Sequence, residues 1–484
     1  MPLSRRLSHW CDTQPEKPAL RLGDVTLSYG ALWESVARRH GALANLPRRA
    51  RGHAAGQPLV ALALGNHPMA PGWLALGLAA PVTLALIDPA WPEALQEDMI
   101  GALAPDLVIT PENAGFGLEH PPQALPETQT EQPFFIGFTS GTTSRPKAFL
   151  RDRLSWSLSL AEGRAVFGLE TASDTLAPGP LVHGLTFYAL AETLDAGATF
   201  TGMPRFCASK AFDQLERGIT RLVAVPTMLD ALLREARHRG RTLPLTQITT
   251  AGAALSRSLL AQLPEAFPAA RITEYYGASE LGFVSLAHHT PSGDGKLYTG
   301  SRGVGRAFPG ASIEIRKGGK PAPPDAIGTV FVKSPHPIAG YLMAEGEHAF
   351  IREGEWASVG DLGALDSEGH LTLAGRADGM VITGGYNVYP EEVASHLAQA
   401  PGVTEAVVLA LPDAYLGERL VAVVSCAGDP PDLPAFCASR MARYKVPRAF
   451  FRLREWPLTS SGKIARATLA RWLEKGDHRL ERLA

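Results

Sequence analysis

The sequence predicts an α/β protein, because short apolar runs alternate with helical segments along most of its 484 residues. The apolar runs at 59–64 and 82–87 flank a helical segment around 73–78. Two strands joined by a helix at this spacing form a βαβ unit of a parallel sheet. From about residue 296 the pattern changes to short strands between Gly, Pro and Asp turns, which indicates a β-rich subdomain over 296–375, followed by a mixed α+β segment.

Further elements follow in the same order along the chain. Periodicity and turn residues predict strands at 107–110, 221–225, 248–251, 311–315, 328–333 and 370–373, and helices at 97–103, 227–238 and 256–266. Ser256 is a good N-cap for the last of these helices. Pro390 with Glu391 and Glu392 behind it predicts the start of another helix, since proline and acidic residues favour the first turn.

Residues 68–87 carry no charged side chain, a length that is sufficient to cross a bilayer. Proline and glycine interrupt the stretch five times, at positions 68, 71, 72, 77 and 81. A buried helix followed by a short strand explains this composition better. We therefore expect no membrane span.

Composition and charge restrict the class of protein. The chain has 46 Lys+Arg and 48 Asp+Glu, a net charge of −2, with 45% apolar residues, which excludes a wholly disordered chain. Near neutrality also disfavours nucleic acid held by overall charge. The charge is uneven, however: residues 378–439 hold one basic and eight acidic residues, whereas 440–484 hold twelve basic and four acidic. The basic tail predicts small polyanions as partners.

Four scattered cysteines, Cys11, Cys207, Cys426 and Cys437, form no C-x-x-C pair, so neither a disulfide framework nor a zinc site is expected. Arg5 and Arg6 are not followed by an apolar segment, so we expect no export signal. These features predict a cytoplasmic protein.

The first motif with chemical potential is a hydroxyl-rich loop, Thr139-Ser140-Gly141-Thr142-Thr143-Ser144-Arg145-Pro146-Lys147, which follows an apolar strand. Amides and hydroxyls of a tight turn bind anions, and a lysine adds a point charge for phosphate. It is not a Walker A loop, because no glycine precedes the lysine. From its spacing alone, a phosphate-binding loop and an ordinary surface turn are equally good interpretations.

A second motif lies at 272–282 and contains Tyr276-Gly277-Ala278-Ser279-Glu280. It differs from the nucleophile elbow G-x-S-x-G because Leu281 occupies the last glycine position, so a serine hydrolase is disfavoured. The aromatic ring, the hydroxyl and the carboxylate suit adenine, phosphate and Mg²⁺ respectively.

Three more motifs follow: 358–363 with 374–379, which contain Asp361 and Arg376; 382–393, which contains Gly384 and Gly385; and 457–466, which contains Lys463. Lys463 stands on a Thr/Ser/Gly turn. Taken alone, this motif is better interpreted as a solvated turn lysine than as a phosphate ligand.

Together the five motifs, in this order, resemble the adenylate-forming superfamily, and within it the acyl-CoA synthetase branch of AMP-dependent CoA ligases. The resemblance extends over nearly the whole chain, from residues 11–20 and 26–32 to Lys463. It implies a large N-terminal adenylation domain at 1–375 and a small, mobile α+β C-terminal domain at 376–484, with the hinge at Asp378.

The resemblance also implies roles for individual residues. Catalytic roles fall to Lys463, which would bridge the substrate carboxylate and the α-phosphate; to Glu280, the Mg²⁺ ligand; and to His183, which borders the acyl site. The nucleotide-binding residues would be Thr139, Ser140, Gly141, Thr142, Thr143, Lys147, Gly252, Ala253, Tyr276, Gly277, Ser279, Asp361 and Arg376. The acyl pocket would be lined by His183, Leu185, Phe187, Thr227, Met228 and Phe283, with Tyr188 and Thr250 as further candidates. Gly384 and Gly385 would line the approach of the CoA thiol.

The chemistry expected from the resemblance has two steps. A carboxylate attacks the α-phosphate of ATP, forming an acyl-adenylate and releasing pyrophosphate, and a thiol then takes the acyl group and releases AMP. The nucleophile is already ionised, so positioning and charge neutralisation carry the first step. ATP, Mg²⁺ and CoA are the expected cofactors and co-substrates.

Two departures from the family pattern leave alternatives open. Ser144 and Ala148 replace the usual glycines of the first loop, which raises a degenerate nucleotide- or acyl-binding homologue as an alternative. A second alternative delivers the acyl group to a carrier-protein thiol. The largely apolar pocket predicts a fatty or aryl acid, although Arg205 and Arg221 leave room for a second polar group on the acid.

Overall fold

The structure is a computed structural model of the chain. It describes residues 3–47, 56–139, 146–292, 298–300, 303–342, 350–376, 379, 381–383, 386–413 and 416–484. The predicted site residues Ser140, Gly141, Thr142, Thr143, Asp378, Gly384 and Gly385 lie outside these residues, as does the side chain of Arg376.

The described residues form twelve α-helices. They are α1 (Leu3–Thr13), α2 (Tyr29–Ala44), α3 (Ala70–Ala79), α4 (Glu93–Leu103), α5 (Arg153–Phe167), α6 (Gly184–Ala196), α7 (Ala208–Glu216), α8 (Pro226–Arg239), α9 (Arg257–Gln262), α10 (Pro390–Leu397), α11 (Leu433–Ala438) and α12 (Arg466–Lys475). Short 3₁₀ turns add Pro111–Asn113, Leu263–Glu265 and Arg443–Lys445.

The strands that precede the β-rich region are β1 (Pro18–Leu22), β2 (Val25–Ser28), β3 (Leu59–Leu62), β4 (Thr83–Leu86), β5 (Leu107–Ile109), β6 (Pro133–Thr139), β7 (Lys147–Asp152), β8 (Asp174–Leu176), β9 (Thr199–Gly202), β10 (Arg221–Ala224), β11 (Gln247–Thr250), β12 (Arg271–Ala278) and β13 (Gly282–Pro291). The later strands are β14 (Tyr298–Gly300), β15 (Arg306–Ala307), β16 (Ser312–Lys317), β17 (Lys320–Pro321), β18 (Gly328–Lys333), β19 (Ile351–Glu353), β20 (Trp356–Ser358), β21 (Asp361–Leu365), β22 (Leu371–Arg376), β23 (Val381–Thr383), β24 (Tyr386–Val388), β25 (Val403–Asp413), β26 (Gly417–Cys426), β27 (Ala449–Arg452) and β28 (Glu481–Arg482).

Two sheets with parallel centres form the N-terminal part. The first has the order β14-β13-β12-β11-β10-β8-β9-β1-β2, with β15 beside β13, and the second has the order β5-β3-β4-β6-β7. In the second sheet β3 and β4 are parallel and α3 connects them, which confirms the βαβ unit and the buried helix predicted from the uncharged stretch. A shared hydrophobic core that includes Trp73, Phe134, Phe187 and Phe200 packs these two sheets together.

The third sheet is antiparallel and confirms the predicted β-rich region. Its order is β17-β16-β18-β20-β19, and β21 and β22 extend it from β18. The fourth sheet, β24-β23-β26-β27-β28 with β25 beside β26, belongs to the small C-terminal α+β domain. That domain has its own core, in which Val393 and Leu397 of α10 pack with Val424 and Phe450. The α/β fold class predicted from the sequence is therefore confirmed.

Several element boundaries differ from the predictions by a few residues. Helix α4 starts at Glu93, four residues before the predicted start, because Pro92 holds an extended conformation that suits the residue before a helix. The helix predicted at 256–266 ends at Gln262 and continues as a 3₁₀ turn, since Pro264 cannot donate a backbone hydrogen bond. Ser256 caps α9 as predicted, and its side chain accepts a hydrogen bond from Leu259 N.

No helix in the described part of the chain is long and apolar enough to cross a membrane. The four cysteines are free thiols, as their spacing predicts.

Candidate active site

A cavity of about 800 Å³ lies where both parallel sheets, the third sheet and the C-terminal domain meet. Strands β10, β11 and β12 are parallel neighbours, so their carboxyl ends reach one edge of the first sheet. Residues just beyond β10 and β11, Val225, Ala251 and Gly252, line the cavity there. Crevices at the carboxyl ends of parallel strands are the usual ligand sites of α/β sheets.

The two strand residues that flank the hydroxyl-rich loop lie at one end of this cavity. Thr139 ends β6, Lys147 begins β7, and the two residues are paired across the hairpin. Both line the cavity. The ammonium nitrogen of Lys147 lies 5.5 Å from the centre of the Tyr341 ring, a cation–π contact that holds the lysine at this end.

Glu280 is a buried carboxylate in the cavity wall, at the turn between β12 and β13. The Tyr341 hydroxyl donates a hydrogen bond of 2.6 Å to Glu280 Oε1. Next to it, Ser279 lines the cavity, and its carbonyl oxygen accepts a hydrogen bond of 2.6 Å from Arg151 Nη2. Arg151 of β7 and Tyr341 thus fix the second motif, and its Glu280 carboxylate faces the cavity.

Asp361 begins β21 and lines the cavity on the side of the third sheet. The Tyr276 hydroxyl donates a hydrogen bond of 2.5 Å to Asp361 Oδ2, which joins the predicted adenine and ribose residues. Gly277 also lines the cavity, whereas Tyr276 and Ala253 do not.

Lys463 reaches the cavity from the C-terminal domain. Its loop is closed by its own hydrogen bonds, from Thr459 N to Lys463 O (2.7 Å) and from Lys463 N to Thr459 Oγ1 (3.1 Å). The Thr227 hydroxyl donates a hydrogen bond of 2.5 Å to the carbonyl oxygen of Gly462. The side chain of Lys463 packs on Gly252, where the φ of +85° and the lack of a Cβ leave room for it. Lys463 thus lines the cavity while its side chain remains exposed to solvent.

His183 precedes α6 and faces Asp88 and the Lys463 loop. Its Nε2 lies 3.6 Å from Asp88 Oδ2 and 3.5 Å from the Ser460 hydroxyl, which itself donates a hydrogen bond of 3.0 Å to Asp88. Burial lowers the pKa of His183, and Lys463 lowers it further against the opposite effect of Asp88. The imidazole is therefore neutral at neutral pH.

Aromatic rings enclose the inner end of the cavity. Phe187, Phe283, Leu185 and Met228, which the resemblance assigns to the acyl pocket, line the cavity together with Tyr188. Phe135, Trp156 and Phe187 are in mutual contact, with ring centres 4.9–5.3 Å apart, and Tyr188 packs on Phe283 at 4.9 Å. The two threonines of the predicted pocket, Thr227 and Thr250, are not in its lining.

The two arginines left open by the sequence do not reach the cavity. Arg221 is buried and donates a hydrogen bond of 2.6 Å to Glu192, and Arg205 is exposed. Neither residue lines the cavity.

Sequence reasoning missed many of the residues that line the cavity, and among the polar ones are Asp88, Arg151, His336, Tyr341 and Ser460. Asp88 was visible only as part of an Asp-Pro turn. Ser460 lies three residues before Lys463 in the same motif, so its place at the cavity could have been inferred from that lysine. The other three carry no local signal, because strand pairing and loop packing bring them to the site.

The fold and the cavity define a class of α/β protein whose ligand cavity combines a buried carboxylate with a lysine from the C-terminal domain. The family model described as "AMP-binding enzyme" matches residues 7–342, and the "AMP-binding enzyme C-terminal domain" model matches residues 392–463. The chain belongs to the AMP-binding enzyme family.

Individual relatives agree with this assignment. An uncharacterised acyl–CoA ligase, YhfT of Bacillus subtilis, is 38% identical over 353 residues, which cover 72% of this chain and 71% of that protein. A putative long chain fatty acid–CoA ligase, VraA of Staphylococcus epidermidis, is 32% identical over 339 residues, 68% of this chain and 69% of that protein. The resemblance to the acyl-CoA synthetase branch is therefore confirmed, and the chain is an ATP-dependent, AMP-forming ligase that activates an acid.

Solved structures share the fold over the whole chain. The o-succinylbenzoate CoA synthetase MenE of Bacillus subtilis, in complex with its acyl-adenylate, superposes with a TM-score of 0.79 at 23% identity, covering 100% of this chain and 99% of that chain. ATP-bound MatB of Rhodopseudomonas palustris gives a TM-score of 0.81 at 22% identity, covering 97% and 99%.

Proposed function

We propose that the chain is an acyl-CoA ligase that activates a compact carboxylic acid with ATP and passes the acyl group to the thiol of CoA. The observation that carries this proposal is that Lys463 enters the cavity that also contains Glu280, Asp361 and an aromatic pocket. A cation between a nucleotide end and an apolar end suits a reaction that joins a carboxylate to a phosphate.

The first step needs two anions to approach each other. The substrate carboxylate attacks the α-phosphorus, an acyl–phosphate bond forms, and the bond to pyrophosphate breaks. Lys463 offsets the charge of both anions, while Lys147 and Thr139 hold the leaving pyrophosphate end. Asp361, fixed by Tyr276, would bind the ribose hydroxyls.

Glu280 suits a Mg²⁺ site. Mg²⁺ prefers hard oxygen ligands and is commonly held by one or two carboxylates together with substrate phosphates. Glu280 supplies one such carboxylate, and Tyr341 orients it through Oε1. When bound, Mg²⁺ would supply neutralisation of the phosphate charge.

The acid is proposed to be compact, with an aromatic ring or a short aliphatic chain. The rings of Phe135, Trp156 and Phe187 are in mutual contact at the inner end of the cavity, where a long alkyl chain would need a passage. Apolar walls with a few fixed polar groups are typical of small-molecule pockets.

The second step is proposed to follow a rotation of the C-terminal domain. In this account residues 1–375 form the body, residues 376–484 rotate about Asp378, and Gly384 and Gly385 line the thiol's path. CoA is favoured as acceptor because the relatives carry the names of CoA ligases. A carrier-protein thiol is the alternative outcome of the test.

The proposal is tested by measuring AMP release with a panel of fatty, aryl and amino acids, each with and without CoA. We expect turnover with compact fatty or aryl acids that requires CoA. If the reaction stops at the acyl-adenylate until a carrier protein is added, the acceptor is a carrier-protein thiol and not CoA.

A matched pair of variants separates chemistry from folding. Glu280→Gln keeps the size and the hydrogen bond from Tyr341 but removes the charge, so it should abolish AMP release. Glu265→Gln, at the surface of the same domain, should not change it. Wild-type protein that binds ATP but releases no AMP with any acid would support the degenerate homologue.

A further inference from the structure

Arg151 is a buried guanidinium in the wall of the active-site cavity. Only 4% of the residue is exposed, and it lines the cavity. It donates hydrogen bonds to two carbonyl oxygens, those of Ser279 and His336. Among the residues that the structure describes, no carboxylate lies within ion-pair distance of it. Buried charges are normally paired, so this cation needs an explanation.

The position of Arg151 follows from the register of the β6–β7 hairpin. Phe135 pairs with Arg151, Gly137 with Phe149, and Thr139 with Lys147. All six line the cavity, as alternate residues on one face of a strand pair should. Arg151 lies four residues along β7 from Lys147, about 13 Å at 3.3 Å per residue. Its backbone is therefore remote from Lys147, and its guanidinium reaches the Ser279 carbonyl oxygen, next to Glu280.

Arg151 shares the cavity face of the hairpin with Phe135, its partner across the strand pair. Phe135 and Trp156 both line the cavity, and their ring centres lie 5.2 Å apart. The nearby hydroxyls have partners: Ser155 donates to the Asp152 carbonyl oxygen, and Tyr188 to Ser159. Burial lowers the pKa of Arg151 to about 10, while Asp152 and Glu280 act in the opposite direction. The side chain therefore remains a cation at neutral pH.

Arg153, two residues later, shows what a purely structural buried arginine looks like in this fold. Its guanidinium donates to the carbonyl oxygens of Gly77, Leu78, Ala80 and Val82 at the end of α3. Arg153 does not line the active-site cavity. Arg151 instead uses two carbonyl acceptors and faces the cavity, and a guanidinium has five N–H donors.

We propose that Arg151 determines substrate specificity by binding an oxygen acceptor on the acid: a second carboxylate, a hydroxyl or a carbonyl group. The proposal rests on the proposed function and narrows it, because the compact acid then carries a polar substituent besides its reacting carboxylate. Lys463 binds the reacting carboxylate and Arg151 binds the polar substituent.

The test compares acids that differ only in the polar substituent. The probes are benzoate, 4-hydroxybenzoate and terephthalate, together with hexanoate and adipate. Two readouts are used: kcat/KM for AMP release, and the rise in Tm that each acid causes in the presence of AMP. The second reports binding without any thiol transfer.

For the wild-type protein we expect at least one substituted acid to exceed its parent about ten- to hundredfold in kcat/KM, the range of a hydrogen bond to a charged group. Preference for terephthalate and adipate indicates a carboxylate, and preference for 4-hydroxybenzoate a neutral acceptor. Arg151→Met, which keeps an unbranched stem but removes the donors, should abolish the preference while AMP still raises Tm. Arg151→Lys should restore part of it.

Arg153→Met is the matched control, because it removes a buried guanidinium outside the cavity and should affect all acids equally. The proposal is overturned if the wild-type protein has a higher kcat/KM for the parent acids than for the substituted ones. It is also overturned if Arg151→Met lowers kcat/KM for all acids by the same factor. The two proposals can fail separately. If AMP release does not require CoA but the preference still depends on Arg151, the proposed acceptor is wrong and the role of Arg151 is supported.

Discussion

Glu405 is a partly buried carboxyl group where the C-terminal domain meets the N-terminal part. It lies on β25, beside the hydrogen bond of 3.0 Å from the Ser256 hydroxyl to the Thr404 carbonyl oxygen. Burial, with a smaller contribution from Asp230 of α8, raises its pKa from 4.5 to about 7 against the opposite effects of the Ala406 amide and Arg466. The contact therefore favours the protonated form of Glu405.

The size of the effect follows from these two values. The difference between 4.5 and about 7 corresponds to about 3 kcal/mol at 1.36 kcal/mol per pH unit, which is an upper limit. The folded pKa lies above the unfolded value, so the full stability is present below pH 4.5 and is lost as pH rises to 7. Glu405→Gln should therefore match wild type at pH 4 and exceed it by up to about 3 kcal/mol at pH 8.

The assay is urea unfolding followed by circular dichroism at pH 4, 6 and 8. The control is Glu474→Gln, which removes an exposed carboxylate of α12 in the same domain and should leave the pH dependence unchanged. If wild type and Glu405→Gln lose stability in parallel between pH 4 and pH 8, the carboxyl group is not held in its protonated form and the argument is wrong.

Three further predictions concern the cavity. Lys463→Ala should abolish ATP–pyrophosphate exchange yet spare thioester formation from supplied acyl-adenylate, and equal loss of both would contradict the proposed domain rotation. Tyr341→Phe keeps the ring under Lys147 but frees Glu280, so the Mg²⁺ concentration for half-maximal exchange should rise about 10- to 100-fold; an unchanged value would refute the orienting role. Gly252→Ala places a methyl group 3.0 Å from Lys463 Cε at a φ of +85°. It should therefore lower both ATP–pyrophosphate exchange and Tm. Normal exchange would show that Lys463 does not act from its position beside Gly252.

Local sequence signals were sufficient for much of the fold. The strands at 59–62 and 83–86 and the helix between them could be predicted because apolar runs and proline or glycine breaks are properties of neighbouring residues. The same holds for the cap at Ser256. Helix ends were less certain, since a single proline such as Pro264 decides whether the last turn continues.

The site was predictable where a motif carries it and unpredictable where packing does. Lys147, Glu280 and Lys463 stand in motifs, and all three line the cavity. Ser460 and Asp88 are 372 residues apart, and only the docking of the C-terminal domain brings them into contact. Arg151 likewise looks like an ordinary strand residue until the hairpin register turns it towards the cavity.

The hydrogen bonds from Thr227 to Gly462 and from Ser460 to Asp88 have a kinetic consequence. Both bonds hold the lysine loop in the cavity wall. In the rotation that we propose for the C-terminal domain, both would have to break before Lys463 leaves the cavity. Their loss would therefore contribute to the barrier of that motion.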